Sequence, residues 1–442
     1  MPGFFDFSAH GSEMGITANA GFMLNYQRLA LLAQNGVVRA CISAPVMDMF
    51  RNWIELARTS EAGELRGTGR DDGLKALESA LETFRVKRIL QSAAEQTGYF
   101  GGCFVFVDTG VRGAGLAEPL LVAEGGAELR PGGLRRFQLI EPANVTPGYV
   151  NMHDPLEEDF YRPESWQVGR DTVHRTRLIG VSGAPPPQSL LPAYNYLGVP
   201  QAQIIADYAM HFQSDRLQAS GLLKNVASKV LKTDMMNAVL SGGSGEDMRR
   251  RIEYFVQNQD NNGVLVIDKE REDFLKEQTS LGGVTDIVQQ ALELVCAVNG
   301  TPVTKTLGLS PKGFNATGET DLQNYYDRVR AMQEEQVRPP LETMLRVLQL
   351  HLTGRVDTGV TFRFVPLSDD DRKLEAEVQK LRADTSAVYL DRGVVSAEEV
   401  RRNLVEDPES GFDDEDPAGL PADPSAAPGA AGPVRAGGWA SA

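Results

Sequence analysis

Cysteine is scarce in this 442-residue chain: Cys41, Cys103 and Cys296 are the only three. No two of them fall at the short spacings of a zinc site or a redox motif, which excludes a sequence-encoded metal finger and a disulfide framework. Cys103 and Cys296 lie in apolar runs, so buried thiols in a reducing compartment are expected. Long apolar stretches are missing too. The best, residues 29–46, is interrupted by Gln34, Asn35 and Arg39, short of the roughly 18 unbroken apolar residues a membrane helix needs. The start, MPGFFDFSAHGSE, lacks the basic and apolar regions of a signal peptide. Neither general secretion nor a membrane partner is therefore expected. Positive charge is in deficit: 44 Lys and Arg stand against 60 Asp and Glu, a net charge of −16. Proteins that grip nucleic acid present many cations to the phosphates, so tight DNA binding is disfavoured. A conduit is not, because acidic walls repel phosphate and let a polymer slide. Some of the acidity is local, with Glu406, Asp407, Glu409, Asp413, Asp414, Glu415, Asp416 and Asp423 lying in a stretch that holds no basic residue.

What is present reads as a mixed α+β chain. Residues 1–22 are a Gly-rich arm. A mainly helical pattern runs over 24–57, and Leu74, Leu77, Leu81 and Phe84 predict a helix reaching about 96. The character changes at Gly98. Residues 103–107, CFVFV, form a short apolar run typical of a buried strand, and 134–140 and 177–181 are further strand candidates. A Pro-rich break at 184–192 precedes a helix over about 200–224, opened by Pro200. Its apolar positions include Ile204, Ile205, Tyr208, Phe212 and Leu223. A small α/β module follows: strands at 226–232 and 264–268, a helix over 244–258 begun by Ser244, Glu246 and Asp247, and a further strand at 274–278. A second helix over 284–298 carries Val284, Val288, Ala291, Leu292, Val295 and Val298 on one face.

Residues 300–319, GTPVTKTLGLSPKGFNATGE, have little periodicity and predict a loop of functional length. A long helix follows, with Leu322, Tyr325, Tyr326, Val329 and Met332 on one face. Pro339 and Pro340 should kink or break it. Residues 360–365 alternate as a half-buried strand. Ser368 and Asp369 to Asp371 then cap a helix, and Ser396 with Glu399 makes a capping box for a last short one. From about Ser410 the Pro, Ala, Gly and Asp composition cannot bury a core, so disorder is expected there.

The order and wording of these parts resemble the subunit of a tailed-bacteriophage portal. VHRTRLIGVSG at 173–183 is similar to the segment that closes that family's wing, and YLGVPQAQIIADYAMHFQSDRLQASGLLK at 196–224 to its first stem helix. The stretch LVCAVNGTPVTKTLGLSPKGFNATGETDLQNYYDRVRAMQEEQVRPPLETML resembles the end of the second stem helix, the tunnel loop and the long helix beyond. Within it, NATGETDLQNYYDRV is close to a subgroup whose longer members carry an appended anti-defence phosphodiesterase; that domain is expected to be absent here.

The resemblance implies a portal fold with an arm at 1–22, a wing at 23–198 and stem helices at 199–224 and 283–300. It places a clip at 225–282, a tunnel loop at 301–318, a long kinked helix at 319–352, a wing strand and crown helices at 353–410, and a tail at 411–442. It further implies a dodecameric ring at one capsid vertex of the virion, assembled in the host cytoplasm. The implied partners are the major capsid protein, the terminase large subunit, then head-completion or adaptor proteins, with double-stranded DNA passing without sequence specificity.

Candidate contact residues follow from that layout. Lys305 and Lys312 are the only charges in the loop before Glu319 and are the DNA-channel candidates. Arg249, Arg250 and Arg251 form a basic run on the clip helix, either a docking patch for an acidic partner or a solvated face paired with Glu246, Asp247 and Glu253. Two H-x-T triplets, His174 with Thr176 and His351 with Thr353, match the motif of two-histidine phosphoesterases, in which each His serves as acid or base. Hydrolysis of cyclic nucleotides is thus the alternative function. Against it, the triplet is short and the second copy sits at a helix end. The glycine-rich SGGSG at 241–245 lacks the Gly-Lys-Ser/Thr ending of a phosphate loop, so no nucleotide-driven motor is expected. Nor is a catalytic residue, a metal or a cofactor.

Overall fold

The computed structural model describes residues 24–59, 65–66, 72–120, 122, 129–224, 227–232, 250, 253, 273–278, 283–308, 319–396 and 400–401. The expected arm at 1–22, the strand at 264–268, most of the helix at 244–258, the capping-box residue Glu399 and the tail from 410 lie outside them. The chain divides into two compact units. One holds residues 1–53, 79–356 and 364–368; the other holds 54–78, 357–363 and 369–442.

The first expected helix is two. Helix α1 spans Tyr26–Leu32 and α2 spans Gly36–Met49, with an 88° bend between them. The cause is local. Asn25 and Asn35 each turn their side-chain oxygen onto a following backbone N–H, Arg28 at 2.9 Å and Val37 at 3.0 Å, so each begins a new helix. By residue 54 the chain is already strand β1, Ile54–Thr59, followed by β2, Leu65–Arg66. The second expected helix is also divided, into α3 (Asp72–Thr83) and α4 (Val86–Phe100), because Arg85 between them is left-handed at φ 52°.

Helix α4 ends at Gly101, whose φ of 84° only glycine adopts readily. A Cβ there would lie 2.0 Å from the Gly198 carbonyl oxygen. The Gly101 carbonyl itself accepts from the N–H groups of both Gly183 and Gly198, so three distant turns meet at bare backbone. Strand β3 (Gly102–Asp108) follows, buried almost throughout. It is the centre of an antiparallel sheet between β4 (Arg136–Ile140) and β8 (Leu178–Ser182). The apolar run CFVFV therefore reads as it should, as a strand covered on both faces. A second three-stranded sheet runs β5 (Val145–Pro147), β6 (Ser165–Val168) and β7 (Asp171–His174). Phe104 and Trp166, with ring centroids 4.6 Å apart, join a cluster that includes Val145, Val173 and Leu178.

Helix α5 (Gln201–Lys224) leads into β9 (Ala227–Lys232), which pairs antiparallel with β10 (Asp273–Gln278) before α6 (Val284–Asn299). The beginning of α5 meets the end of α6, where Gln201 donates to Asn299 over 3.2 Å. The two helices are therefore antiparallel, and the β-pair joins their far ends. Their shared core contains Ala202, Ile205, Ala209 and Phe212 from α5 and Leu292 and Val295 from α6, with Leu29, Val38, Cys41 and Ile42 from the first two helices. Burying each large member of this set contributes roughly 1.5–3 kcal/mol. Ile204, among the apolar positions of this helix, is exposed.

After α6 come the short helix α7 (Val303–Leu307), then α8 (Glu319–Met332), a π-helical turn (Gln333–Val337) and α9 (Arg338–Thr353). Pro339 and Pro340, expected to kink or break the helix, do not break it. They occupy the first turn of α9, where a missing N–H costs little, and the π turn just before them absorbs the misfit of the hydrogen-bond ladder. The other unit holds a sheet ordered β11 (Val360–Phe364), β1 and β2, and the helix α10 (Asp369–Asp391). Among the described residues no single helix is long and apolar enough to cross a membrane; the bent pair α1 and α2 passes by length and composition, yet it supplies Leu29, Val38, Cys41 and Ile42 to the core.

Candidate functional site at the base of the 301–318 segment

The segment between α6 and α8 is held at its base by buried polar groups. Asn299, the last residue of α6, is 4% exposed. Its side-chain amide donates to the Cys41 carbonyl at 2.9 Å and to the Thr301 hydroxyl at 2.7 Å. Gly300 then turns left-handed at φ 66° to end the helix, with Thr301 N–H closing onto the Cys296 carbonyl. The space where a Gly300 side chain would stand is filled by the Arg328 guanidinium from α8. Part of the expected loop is helical, since α7 starts at Val303 and stops at Gly308, which is again left-handed.

Asp48, near the end of α2, gathers both arms of the segment. The Lys305 ammonium of α7 lies 3.1 Å from Asp48 Oδ2. The Tyr325 hydroxyl of α8 donates to that same oxygen over 2.9 Å. Arg51 approaches the other carboxylate oxygen at 3.5 Å. The Lys305 ammonium also lies 5.1 Å from the Tyr326 ring centre, and the Arg51 guanidinium lies 5.8 Å from it. Burial, then the neighbouring Asp48 charge, pushes the Tyr325 phenol well above its usual range, so it stays a proton donor. At the start of the π segment, Gln333 donates to the Met49 carbonyl at 2.6 Å. Asp48 is thus a clasp: a largely buried carboxylate that ties down the chain entering and leaving residues 309–318.

Of the residues singled out from sequence, Lys305 stands in this clasp, with its side chain 25% exposed. Lys312, Arg249 and Arg251 lie outside the described residues, while Arg250 is helical and exposed. The two H-x-T triplets are engaged separately. His174 Nδ1 caps a short 3-10 turn by accepting from Thr176 N–H, and the Thr176 hydroxyl accepts from Leu120 N–H at 2.7 Å. His351 Nδ1 accepts from Leu134 N–H at 3.1 Å, its ring edge-on to Phe84, and Thr353 donates back to the Gln349 carbonyl. Burial lowers the pKa of both imidazoles, which keeps them neutral as those acceptor roles require. No hydrogen bond or ion pair joins the two triplets among the described residues. Nor, among them, does any group of three His, Cys, Asp or Glu side chains gather to hold a metal ion. Asp48 and Asn299 carry no sequence signal of their roles, since their partners lie as far as 277 and 258 positions away.

Comparison with known proteins supplies the context for this architecture. A family model described as phage portal protein matches residues 26–388. An "Anti-CBASS protein Acb1" of Sphingomonas paeninsulae is 25% identical over 407 residues, an alignment covering 88% of this chain and 62% of that protein. The chain therefore spans less than two thirds of that relative. An uncharacterized protein of Haemophilus influenzae is 24% identical over 365 residues, covering 81% of this chain and 78% of its own. Among solved structures, an HK97-family phage portal protein from Corynebacterium diphtheriae matches with a TM-score of 0.39 at 12% identity, over 76% of this chain and 94% of that one. A chain from the neck of a native gene transfer agent particle, computed with C12 symmetry, matches with a TM-score of 0.45 at 14% identity, over 90% and 99%.

Proposed function

Because the chain belongs to the phage portal protein family, we propose that it is one subunit of a dodecameric ring at a single capsid vertex, the passage through which DNA is packaged and later ejected. The family match over residues 26–388 is the observation that carries this reading. On it, α5 and α6 are the stem helices, the segment from 225 to 282 is the clip, and residues 301–318 are the tunnel loop. The wing precedes them, and the crown includes α10. Terminase docks on the clip during packaging and is replaced there by head-completion proteins, while the wing faces the major capsid protein. The ring assembles in the host cytoplasm and remains in the virion.

Two physical features support it. Large apolar side chains stand out from the paired helices into solvent, Leu217 at 73% and Ile287 at 58% exposure, with Leu222 and Leu294 also open. Apolar surface of this kind on an isolated subunit fits burial against neighbouring copies. The net charge of −16 suits a passage that does not hold DNA tightly. Of the two loop cations, Lys312 is the one proposed to meet phosphate most directly, and Lys305, already neutralised by Asp48, contributes less. Arg249, Arg250 and Arg251 are the proposed docking cations of the clip. No catalytic role is proposed; the anti-defence name belongs to a relative that this chain covers only in part. Negative-stain imaging of the purified protein tests the ring: twelve-fold annular particles are expected. A monomer at high concentration that also fails to assemble with capsid protein refutes it.

A further inference from the structure

One stretch of this acidic chain reverses its charge. From Phe84 to Phe137 Lys and Arg outnumber Asp and Glu by seven to five, against 44 to 60 overall. The fold gathers several of these cations around one turn. Asp108, at the end of β3, is 2% exposed. Its carboxylate accepts from Arg112 Nη1 and Nη2 at 2.9 and 3.0 Å and from Arg136 Nε at 3.2 Å. Both arginine side chains are nonetheless open, at 55% and 62% exposure. The Arg135 guanidinium lies over Gly110, in the space a side chain there would need. One buried carboxylate thus stands beneath three exposed arginines. Arg130 opens the neighbouring turn, which Gly133 N–H closes onto the Arg130 carbonyl at 2.8 Å. That turn is fixed to the end of α9. Gly132 N–H donates to the His351 carbonyl at 2.8 Å, and Leu134 N–H to the His351 imidazole at 3.1 Å. The same imidazole packs edge-on against Phe84, 5.1 Å between ring centres, which brings the adjoining Arg85 and Arg88 alongside. Arg85, Arg88, Arg130 and Arg135 are exposed, and among the described residues no carboxylate pairs with them.

We propose that this arginine face, distinct from Lys305 and Lys312, binds the phosphate backbone of double-stranded DNA without sequence preference. The cations are spread over the β3 turn, the 130–136 turn and the start of α4. That spread suits a polymer of repeated phosphates better than a single small anion. All six are arginines, whose planar fork meets phosphate oxygens with paired hydrogen bonds. Asp108 and the Val111 carbonyl occupy only some of the N–H donors of Arg112 and Arg136, and the rest remain for phosphate. The buried carboxylate also fixes those two side chains before DNA arrives, so less freedom is lost on binding. A protein partner fits this face less well. Protein interfaces centre on aromatic or apolar anchors, and from 84 to 137 the described residues expose no large apolar side chain. With few phosphate contacts on an acidic chain, binding is weak and falls steeply with salt. The choice of DNA as the polyanion rests on the portal reading, in which the subunit serves a particle that packages it.

The test is fluorescence anisotropy of a labelled random-sequence duplex with the full folded chain, over potassium chloride from about 25 to about 200 mM. The logarithm of affinity should fall linearly with the logarithm of salt, by about 0.9 for each phosphate contacted. Arg130→Gln with Arg135→Gln should weaken binding and lower that slope by about two, equally for duplexes of different sequence. Both side chains are exposed, so the thermal midpoint should not move. Arg85→Gln with Arg88→Gln should act in the same way and serves if the first variant does not fold. Arg28→Gln changes an exposed arginine near the other end of α4, where Tyr26 meets Phe100, and should leave binding unchanged. Absence of binding at the lowest salt overturns the proposal. So does an equal loss in Arg28→Gln, or a loss in Lys312→Gln while the face variants bind normally. Displacement of the duplex by poly-glutamate at equal charge would assign the face to an acidic protein instead. Binding is read on the chain whether or not rings form, so failure of the ring and failure of this face are separate results.

Discussion

The Tyr325 hydroxyl donates a hydrogen bond to Asp48 across 2.9 Å, joining residues 277 positions apart. The same carboxylate oxygen receives Lys305, so one buried charge serves the chain on both sides of residues 309–318. Asp48→Asn keeps the shape but removes the charge that Lys305 needs. It should cost about 2–3 kcal/mol, as expected when one member of a mostly buried, hydrogen-bonded ion pair is lost. Tyr325→Phe should cost about 1.5–3 kcal/mol, the range for a hydrogen bond to a charged group. Urea unfolding of both single variants and the double variant checks this, and the two losses should sum to more than the double variant shows.

Gly300 ends α6 in a left-handed conformation with the Arg328 guanidinium where a side chain would be. Gly300→Ala must pay for the backbone and displace Arg328. A loss of roughly 1–2 kcal/mol is expected from the backbone alone. Arg328→Ala in the same chain clears the space and should recover only the steric part. Thermal midpoints of the two variants separate the contributions.

Ala291 lies in the interior of α6, on the face packed against the core shared with α5. Ala291→Pro removes a ladder hydrogen bond and clashes with the preceding turn, a cost of about 3 kcal/mol or more per subunit. Helical content by circular dichroism should fall, and annular particles should be lost in negative stain. Intact rings from this variant would contradict the stem assignment of α6.

Asp108 accepts from Arg112 at 2.9 and 3.0 Å, from Arg136 at 3.2 Å and from the Gly110 N–H. Its hydrogen bonds to Arg112 do most to lower its pKa to about 2, against about 3.9 for an unfolded aspartate. A depressed folded pKa contributes stability that is fully present above the unfolded value and is lost as pH falls through about 2. Asp108→Asn should therefore destabilise the chain at neutral pH and flatten the fall in urea midpoint between about pH 4 and about pH 2. An unchanged slope would mean that another carboxylate governs the acid limb.

The sequence by itself determined the local elements. The strand at 102–108, the pair at 227–232 and 273–278, the helices at 201–224 and 284–299 and the α+β class are written in short-range periodicity, because a covered strand or a one-sided helix needs its apolar residues at fixed spacing. The phage portal family was legible too, in the stretch from the end of α6 onward. Where one side chain redirects the backbone, periodicity misleads. Asn35 and Arg85 split helices that looked continuous, and a π turn lets a helix pass Pro339 and Pro340 that looked broken. Only the tertiary structure decided the base of the 301–318 segment. Lys305 appeared as a bare loop cation, and its partner Asp48 is an ordinary carboxylate on a distant helix. Such pairs are set by how α2, α6 and α8 pack, and packing brings together residues that no local pattern links.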